Sequence, residues 1–423
     1  MSKISKIWAR EILDSRAIPT VEASCLLDTG QVAIASVPSA TPTGKYDSLE
    51  LRDQDTSRYH GKGVLKAVNN VNNILGQVLI GMDPIDQEVI DKKLIDTDGT
   101  KNKSKYGANA ILAVSIATAK AGSLSAGKTL YSYINQMAAK FGIKAKEHIP
   151  TPIFNMINGG LHGAGNLDFQ EFHVIPATSK KFSEGLRMGV ETYMTIGDNL
   201  KRRGAIHSVG DEGGYAPNLF TNADAFEILV ESIKETPYQL GRDVFLGLDA
   251  AASVFYKNGN YSIRDKSSPL TDDDLLEYYK TLNNQYHLAI LEDAFQEDAW
   301  NSWKKLYTEM SEQLTVVGDD LLATNPERVV KAIKEKACNA ILVKPNQLGT
   351  ITETLRVISK ALASSWKIIV SHRSGETNEW FIADFAVGIG ADFVKFGAPS
   401  RGERVAKYNR LSAIEVELLS GRM

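Results

Sequence analysis

The sequence predicts an α/β protein, a TIM-type barrel preceded by a small α+β domain, and two patterns carry that reading. The first is a ladder of short Val/Ile/Leu runs in the C-terminal half, each ending in a charged residue. They are VFLGLD at Asp249, LAILED at Glu292, TVVGDD at Asp319, AILVK at Lys344, KIIVSH at His372 and ADFVK at Lys395. Unbroken runs of this kind mark strands buried on both faces. Charges at successive strand ends predict a parallel barrel whose C-terminal rim gathers three carboxylates, two lysines and a histidine. The second pattern is the N-terminal third, where strand-like runs precede helical ones without alternating.

In chain order, residues 4–12, 20–27 and 31–37 read as a three-stranded meander, with Asp28, Thr29 and Gly30 in a tight turn. Helical patterns follow at 64–79, 86–96 and 109–126. The apolar pattern is interrupted between Phe141 and Pro150, so the domains are expected at 1–141 and 142–423. The ladder's rungs stand about 23 to 43 residues apart, which suits strand–helix units of roughly 30 residues. The widest gap holds YKNGNYSI, a hairpin on an Asn-Gly turn, and then a helix at 271–283. Residues 325–337 open with an asparagine cap and a proline at the first helical position. Residues 350–365 set Ile351, Leu355, Ile358 and Leu362 on one face, and 376–387 form a third amphipathic helix.

Bulk properties narrow the class. Hydrophobic residues make up 43% of the 423 and charged residues 23%, an ordinary globular balance. A formal charge of −3 gives no reason to expect nucleic acid as a primary partner. No apolar stretch reaches the roughly 18–20 residues of a membrane span. The opening MSKISKIWAREILD lacks a signal-peptide core, so a cytoplasmic location is expected. Cys25 and Cys338 are too few for a disulfide framework and read as free thiols.

The rim carries the chemistry. Any one of Asp249, Glu292 and Asp319 alone would read as a helix cap or a solvated acid; three converging at a barrel mouth repel unless they share a cation. Hard oxygen donors favour magnesium. Lys344 and Lys395 read either as counter-ions or as a divided pair, one a base with a pKa lowered by its surroundings and one an anion binder. SHRSGE adds His372, Arg373 and Ser374 in a loop expected to open a helix, suited to phosphate or carboxylate. INGGLHGAGNLDFQEF carries His162 in a Gly-rich loop and runs into a predicted strand with Gln170 and Glu171. HSVGDEGGYAP ends a short predicted strand in Asp211 and Glu212. Those acids read as a solvated turn or as a general acid facing the lysine. Together these groups suit proton abstraction beside a carboxylate, whose dianion is offset by bound cations.

At these residues the chain resembles the enolases nearly end to end. The resemblance runs through AREILDSR, VPSATPTG, YGANAILAVS, INGGLHGAGNLDFQEF, RMGVETY, VGDEGGYAP, LDAAASVFY, LEDAFQEDAW, VGDDLLATNP, LVKPNQLGT, SHRSGET and FGAPSRGERVAKYN. It implies dehydration of 2-phosphoglycerate to phosphoenolpyruvate in glycolysis and gluconeogenesis. It implies a magnesium on Asp249, Glu292 and Asp319, Lys344 taking the C2 proton, and Glu212, supported by Glu171, protonating the departing hydroxyl. Arg373 and Ser374 would bind phosphate, Lys395 and His372 would hold the substrate, and Gln170 and His162 would line the pocket. A second, substrate-dependent magnesium, an irregular barrel opening ββαα with one antiparallel strand, and a homodimer or octamer follow from the same resemblance. Surface display is also known in the family. A lysine or histidine base beside magnesium is already the established pattern for this superfamily.

The departures lie near the N-terminus. Relatives usually read Ser-Gly-Ala-Ser-Thr-Gly in a mobile loop; this chain reads Ser39-Ala40-Thr41-Pro42-Thr43-Gly44. Proline at 42 keeps a carbonyl but loses a hydroxyl and fixes φ, which predicts weaker binding of the second metal or slower loop closure. Ala17-Ile18 replaces the usual Gly-Asn, and Ala413 stands where relatives place an arginine that pairs across the dimer with the counterpart of Glu22. Two other functions fit less of the pattern: a lyase acting on acid sugars, and a weakened enolase relative retained as a binding protein.

Overall fold

The computed structural model describes residues 2–39, 44–144, 146, 148–163 and 167–421. Ala40 and Pro42, the substituted loop positions, lie outside the described residues. Strands β1 (Ile4–Leu13), β2 (Pro19–Leu27) and β3 (Val32–Ser36) form the expected antiparallel meander. Its buried face of Ile7, Ala9, Val21, Ala23, Cys25, Ala33 and Ala35 is covered by helices. Helices α1 (Leu65–Asn70) and α3 (Ala108–Ser125) lie against the strands, and α2 (Gln87–Asp98) and α4 (Leu130–Ala139) pack on α3. The alanine-rich α3 is buried along nearly its whole length, because small side chains let its backbone approach the sheet.

The single helix expected over 64–79 is broken. After α1 the chain widens into a π turn at Val71–Leu75 and tightens at Gln77–Leu79. The wide turn delivers Asn72 to the free edge of β1, where its side chain accepts from the Ala9 N–H at 2.7 Å and donates to the Ala9 carbonyl at 3.3 Å. Gly76 follows because a Cβ there would lie 2.8 Å from the Val71 carbonyl and 2.9 Å from that of Ile7.

The second domain runs β4 (Thr151–Asn158), β5 (Glu171–Pro176), α5 (Phe182–Arg202), α6 (Asn222–Lys234) and β6 (Val244–Asp249). A small hairpin follows, β7 (Tyr256–Lys257) and β8 (Asn260–Tyr261), turning on Asn258 and Gly259 at positive φ as its sequence predicts. Regular units then alternate: α7 (Asp272–Tyr286), β9 (Leu288–Glu292), α8 (Trp300–Met310), β10 (Thr315–Gly318), α9 (Pro326–Glu335) and β11 (Ala340–Val343). The chain ends with α10 (Ile351–Ala363), β12 (Lys367–Ser371), α11 (Phe381–Gly388), β13 (Phe393–Lys395) and α12 (Gly402–Leu419). Eight strands close a barrel in the order β10-β11-β12-β13-β4-β5-β6-β9. The six ladder runs are six of those eight.

The ladder's all-parallel expectation is corrected at β5, which is antiparallel to both β4 and β6. The chain returns from β4 by a loop with no crossover helix, so β5 must run backwards. The helix expected at 376–387 is also shorter. Residues 376–380 dock on the first domain instead: the Ser15 N–H donates to the Glu376 carbonyl at 2.7 Å, and the Ser15 hydroxyl accepts from the Glu376 N–H at 3.1 Å. Helix α11 begins only where the Glu379 carboxylate accepts the N–H groups of Trp380 and Phe381. Asn325 caps α9 as expected, and Thr350 caps α10.

The closed end of the barrel is plugged by Ile153, Ile175, Ile290, Val317, Ala340, Leu342, Ile369 and Phe393, which leaves the rim as the open end. The first domain is seated against the outer helices through Asp91. Its buried carboxylate accepts from Gln87, from the Ser115 hydroxyl and from the Thr352 N–H at the start of α10. No single described helix is long and apolar enough to cross a membrane.

Candidate active site

Parallel strands aim their C-terminal residues at one rim. Here β6 and β9 end in Asp249 and Glu292, β13 ends in Lys395, and β10, β11 and β12 are followed at once by Asp319, Lys344 and His372. Because β5 is reversed, its first residue, Glu171, reaches the same rim. These groups surround a cavity of about 220 Å³, together with Gln170, His162, Glu212, Arg373 and Ser374. Glu292 lies just beneath, buried against Lys395. The expected site residues that are described are therefore brought together, while Pro42 lies outside the described residues. β11 and β5 stand four places apart in the ring of eight, so Lys344 and Glu171 face each other across the mouth.

Glu212 needs a different support. The short strand expected before Asp211 is absent among the described residues; two isolated bridges, Val209 to Tyr215 and Tyr215 to Ile157, pin the loop to β4 instead. Gly213 adopts φ +88°, and a Cβ on Gly214 would come within 2.7 Å of Asn158 Oδ1. The glycine pair thus lets the loop lie flat on β4.

The carboxylates fall into overlapping groups. Asp249 and Glu292 cluster with Asp293, and Asp293 clusters with Asp319 and Asp320. Lys395, 3% exposed, lies 2.9 Å from Asp249, 2.8 Å from Glu292 and 3.3 Å from Glu171. Burial and then the charge of Asp249 push Glu292 up to about 8. Burial works against the Lys395 ammonium, yet Asp249, Glu171 and Glu292 outweigh it and hold Lys395 firmly charged. Asp293 accepts the N–H groups of Asp319 at 3.0 Å and Asp320 at 2.7 Å, so it shapes the turn that presents Asp319.

Lys344 corrects one expectation. Burial lowers its pKa, but the Asp319 carboxylate hydrogen-bonded to it more than offsets that, and the net shift is upward. The lysine is a cation while Asp319 is its partner.

On the far wall, oxygens of Glu171 and Glu212 and a nitrogen of His162 lie within 4.8 Å of one another. Two buried carboxylates this close cannot both be charged cheaply. Glu171 is pushed well above the usual range by burial and by Glu212. Burial also opposes the charged form of Glu212, but His162, His372 and Arg404 outweigh it and hold Glu212 well below the usual range. The pair is therefore suited to holding one proton between its members. His173, buried behind the strand, lies 3.0 Å from Glu171.

The loop after β12 walls another side of the cavity. Arg373 donates to Asn346 at 3.2 Å and lies 3.4 Å from Asp47, and Ser374 Oγ lies 3.0 Å from His162 Nε2. The helix expected to open from this loop does not form there, so the loop offers the cavity its side chains rather than a helix N-terminus. The first domain braces it: Ser39 N–H donates to the Gly375 carbonyl at 3.2 Å, and its hydroxyl bonds to Asp14.

Two family models cover this chain: the enolase N-terminal domain matches residues 4–134, and the enolase C-terminal TIM barrel domain matches residues 146–422. The chain belongs to the enolase family. Enolases generally use magnesium, and this rim fits one. Its donors are carboxylate oxygens, the class magnesium prefers, and the buried Asp319 Oδ1 has no hydrogen-bond partner. Glu292, raised by burial and by Asp249, is in the state that an added cation relieves.

Sequence reasoning missed four further charged residues that line this enolase cavity: Arg16, Asp47, Asp293 and Asp320. The last two were visible as the second acids of LED and GDD. Arg16, 3.2 Å from Asp211, and Asp47 come from the first domain, and no local pattern assigns them to a barrel rim. Glu22, whose intersubunit pairing was in question, pairs here with Arg10 of its own chain at 2.6 Å.

Proposed function

We propose that this enolase-family protein catalyses the reversible dehydration of 2-phosphoglycerate to phosphoenolpyruvate. One observation carries the reading: a lysine and a carboxyl pair face each other across a cavity floored by acids and walled by Arg373 and Ser374. Lys344, once neutral, takes the C2 proton; the C2–H electron pair moves toward the substrate carboxylate. Its return forms the C2–C3 double bond and expels the C3 hydroxyl, which leaves as water with the proton held by Glu171 and Glu212. Arg373 and Ser374 hold the phosphate, and Lys395 faces the carboxylate and stays charged throughout. Magnesium held by Asp249, Glu292 and Asp319 would supply the charge that offsets the second negative charge on that carboxylate.

The test is a magnesium-dependent assay for phosphoenolpyruvate from 2-phosphoglycerate, run beside a panel of acid sugars. Lys344→Ala is expected to lower kcat by about a thousandfold or more. Turnover of an acid sugar without any phosphoenolpyruvate would overturn the reading.

A further inference from the structure

Arg404 is a residue that neither the rim nor its carboxylates explain. It stands in the first turn of α12, is wholly buried, and reaches under the cavity rather than into it. Its Nη1 donates to the Arg373 carbonyl at 2.6 Å and lies 2.9 Å from His372 Nδ1. Its Nη2 donates to the Asp211 carbonyl at 3.0 Å and also to the Ser374 carbonyl. One guanidinium therefore ties together the loop that would bind phosphate and the loop that carries Glu212.

The contact with His372 has a chemical consequence. A guanidinium only donates hydrogen bonds and stays protonated in proteins. The ring nitrogen facing it must therefore present a lone pair, so Nδ1 carries no hydrogen. The hydrogen of the neutral ring is then on Nε2. That atom is buried, has no hydrogen-bond partner of good geometry and lies 3.3 Å from Glu212 Oε2. Burial, reinforced by Arg404 and Lys395 against the opposing charge of Glu212, brings the His372 pKa down to about 3, so the ring stays neutral.

We propose that Arg404 is a positioning residue: it fixes His372 as a neutral Nε2–H donor aimed at the acid side of the cavity, and it clasps the two loops in register. The proposal rests on the dehydration reading for what the donor serves, namely the Glu212 carboxylate and the departing hydroxyl beside it. The ring lock itself follows from the geometry alone. Lysine cannot replace the clasp, because an ammonium lacks the planar fork that reaches both loops at once.

The test uses full-length protein with ¹⁵N-labelled histidine, the His372 signals being assigned by their loss in His372→Asn. In the wild type these signals are expected to show Nε2–H with a bare Nδ1 from about pH 5 to 8, the range an ordinary histidine crosses. In Arg404→Met the Nδ1–H form is expected to appear, His372 to titrate within that range, and kcat for 2-phosphoglycerate to fall about a hundredfold. Arg404→Lys carries the test if the methionine variant fails to fold, with kcat expected to fall at least about tenfold. A folded variant that keeps both the tautomer and kcat within about threefold of wild type overturns the proposal. If the wild type makes no phosphoenolpyruvate, the reaction assignment fails, whereas the tautomer still decides the ring lock.

Discussion

Ala17 shows how a single position can be read twice. It adopts φ +57°, and the Asp14 carboxylate holds the turn by accepting the N–H groups of Arg16 and Ile18, each at 2.8 Å. A left-handed conformation costs an alanine about 1–2 kcal/mol, and part of that returns as lost chain entropy if glycine is installed. Ala17→Gly is therefore expected to stabilise the fold by about 1 kcal/mol, seen as a higher urea midpoint at unchanged slope. An unchanged or lower midpoint would show that the turn is not strained. The same scale shows what local sequence conveys. Lys344 and Lys395 are conspicuous because a charge closes an apolar run. Arg404 is not, because an arginine in a helix reading GERVAKYNR looks like any solvated charge until the barrel closes over it.

At the scale of elements, the ladder exposes six barrel strands and passes over two for physical reasons; of those two, only the strand at Gln170 and Glu171 is read from its own segment. In β4, TPIFNMIN, the apolar run is broken by Asn155 and Asn158, buried polar residues of which the first donates to Glu212 at 3.1 Å. The site's own needs erase the strand pattern there. In β5 the charge comes first, at Glu171, because the strand runs backwards, so a rule looking for charges at strand ends passes over it. The domains are joined by a contact that is equally invisible in sequence. Asp298, just before α8, accepts from Lys45 at 2.7 Å, from Tyr46 at 2.8 Å and from Arg328 at 3.0 Å. Burial alone would raise its pKa; these donors outweigh that and bring it to about 2. A folded pKa below the unfolded value of about 3.9 means stability that is present at neutral pH and lost as pH falls toward 2. Asp298→Asn is expected to be less stable than wild type at pH 7, with the gap in denaturation midpoint narrowing below about pH 4. A gap that ignores pH would remove this pairing from the account.

For the whole molecule, two buried imidazoles each make stability depend on pH. Burial, reinforced by Lys395, brings His173 down to about 3, and His372 falls to about 3 with burial as the leading cause. Both are neutral in the fold, whereas the unfolded chain protonates them below about pH 6.5. The unfolded state then holds more protons, so stability rises with pH between about 3 and 6.5, by up to about 1.4 kcal/mol per pH unit for each ring. Glu171 and Glu292, raised by burial, act in the opposite direction over this range, so the imidazole contribution is read as a difference. In chemical denaturation across pH 5 to 8, His173→Gln is expected to lose stability relative to wild type as pH rises, and profiles that stay parallel would refute the assignment. The overall architecture was readable because repeated rungs report one ring, but ring closure is a property of no single segment. Residues Phe393 to Lys395 pair with Thr151 to Ile153, joining the last strand to the first. A growing polypeptide therefore leaves the ribosome with two unpaired strand borders, at β4 and β12, and with Asp249 and Glu292 still lacking their lysine. Synthesis delivers the neutralising cation only with the eighth barrel strand. A nascent barrel is thus both sticky at its seam and self-repelling at its mouth until that strand arrives.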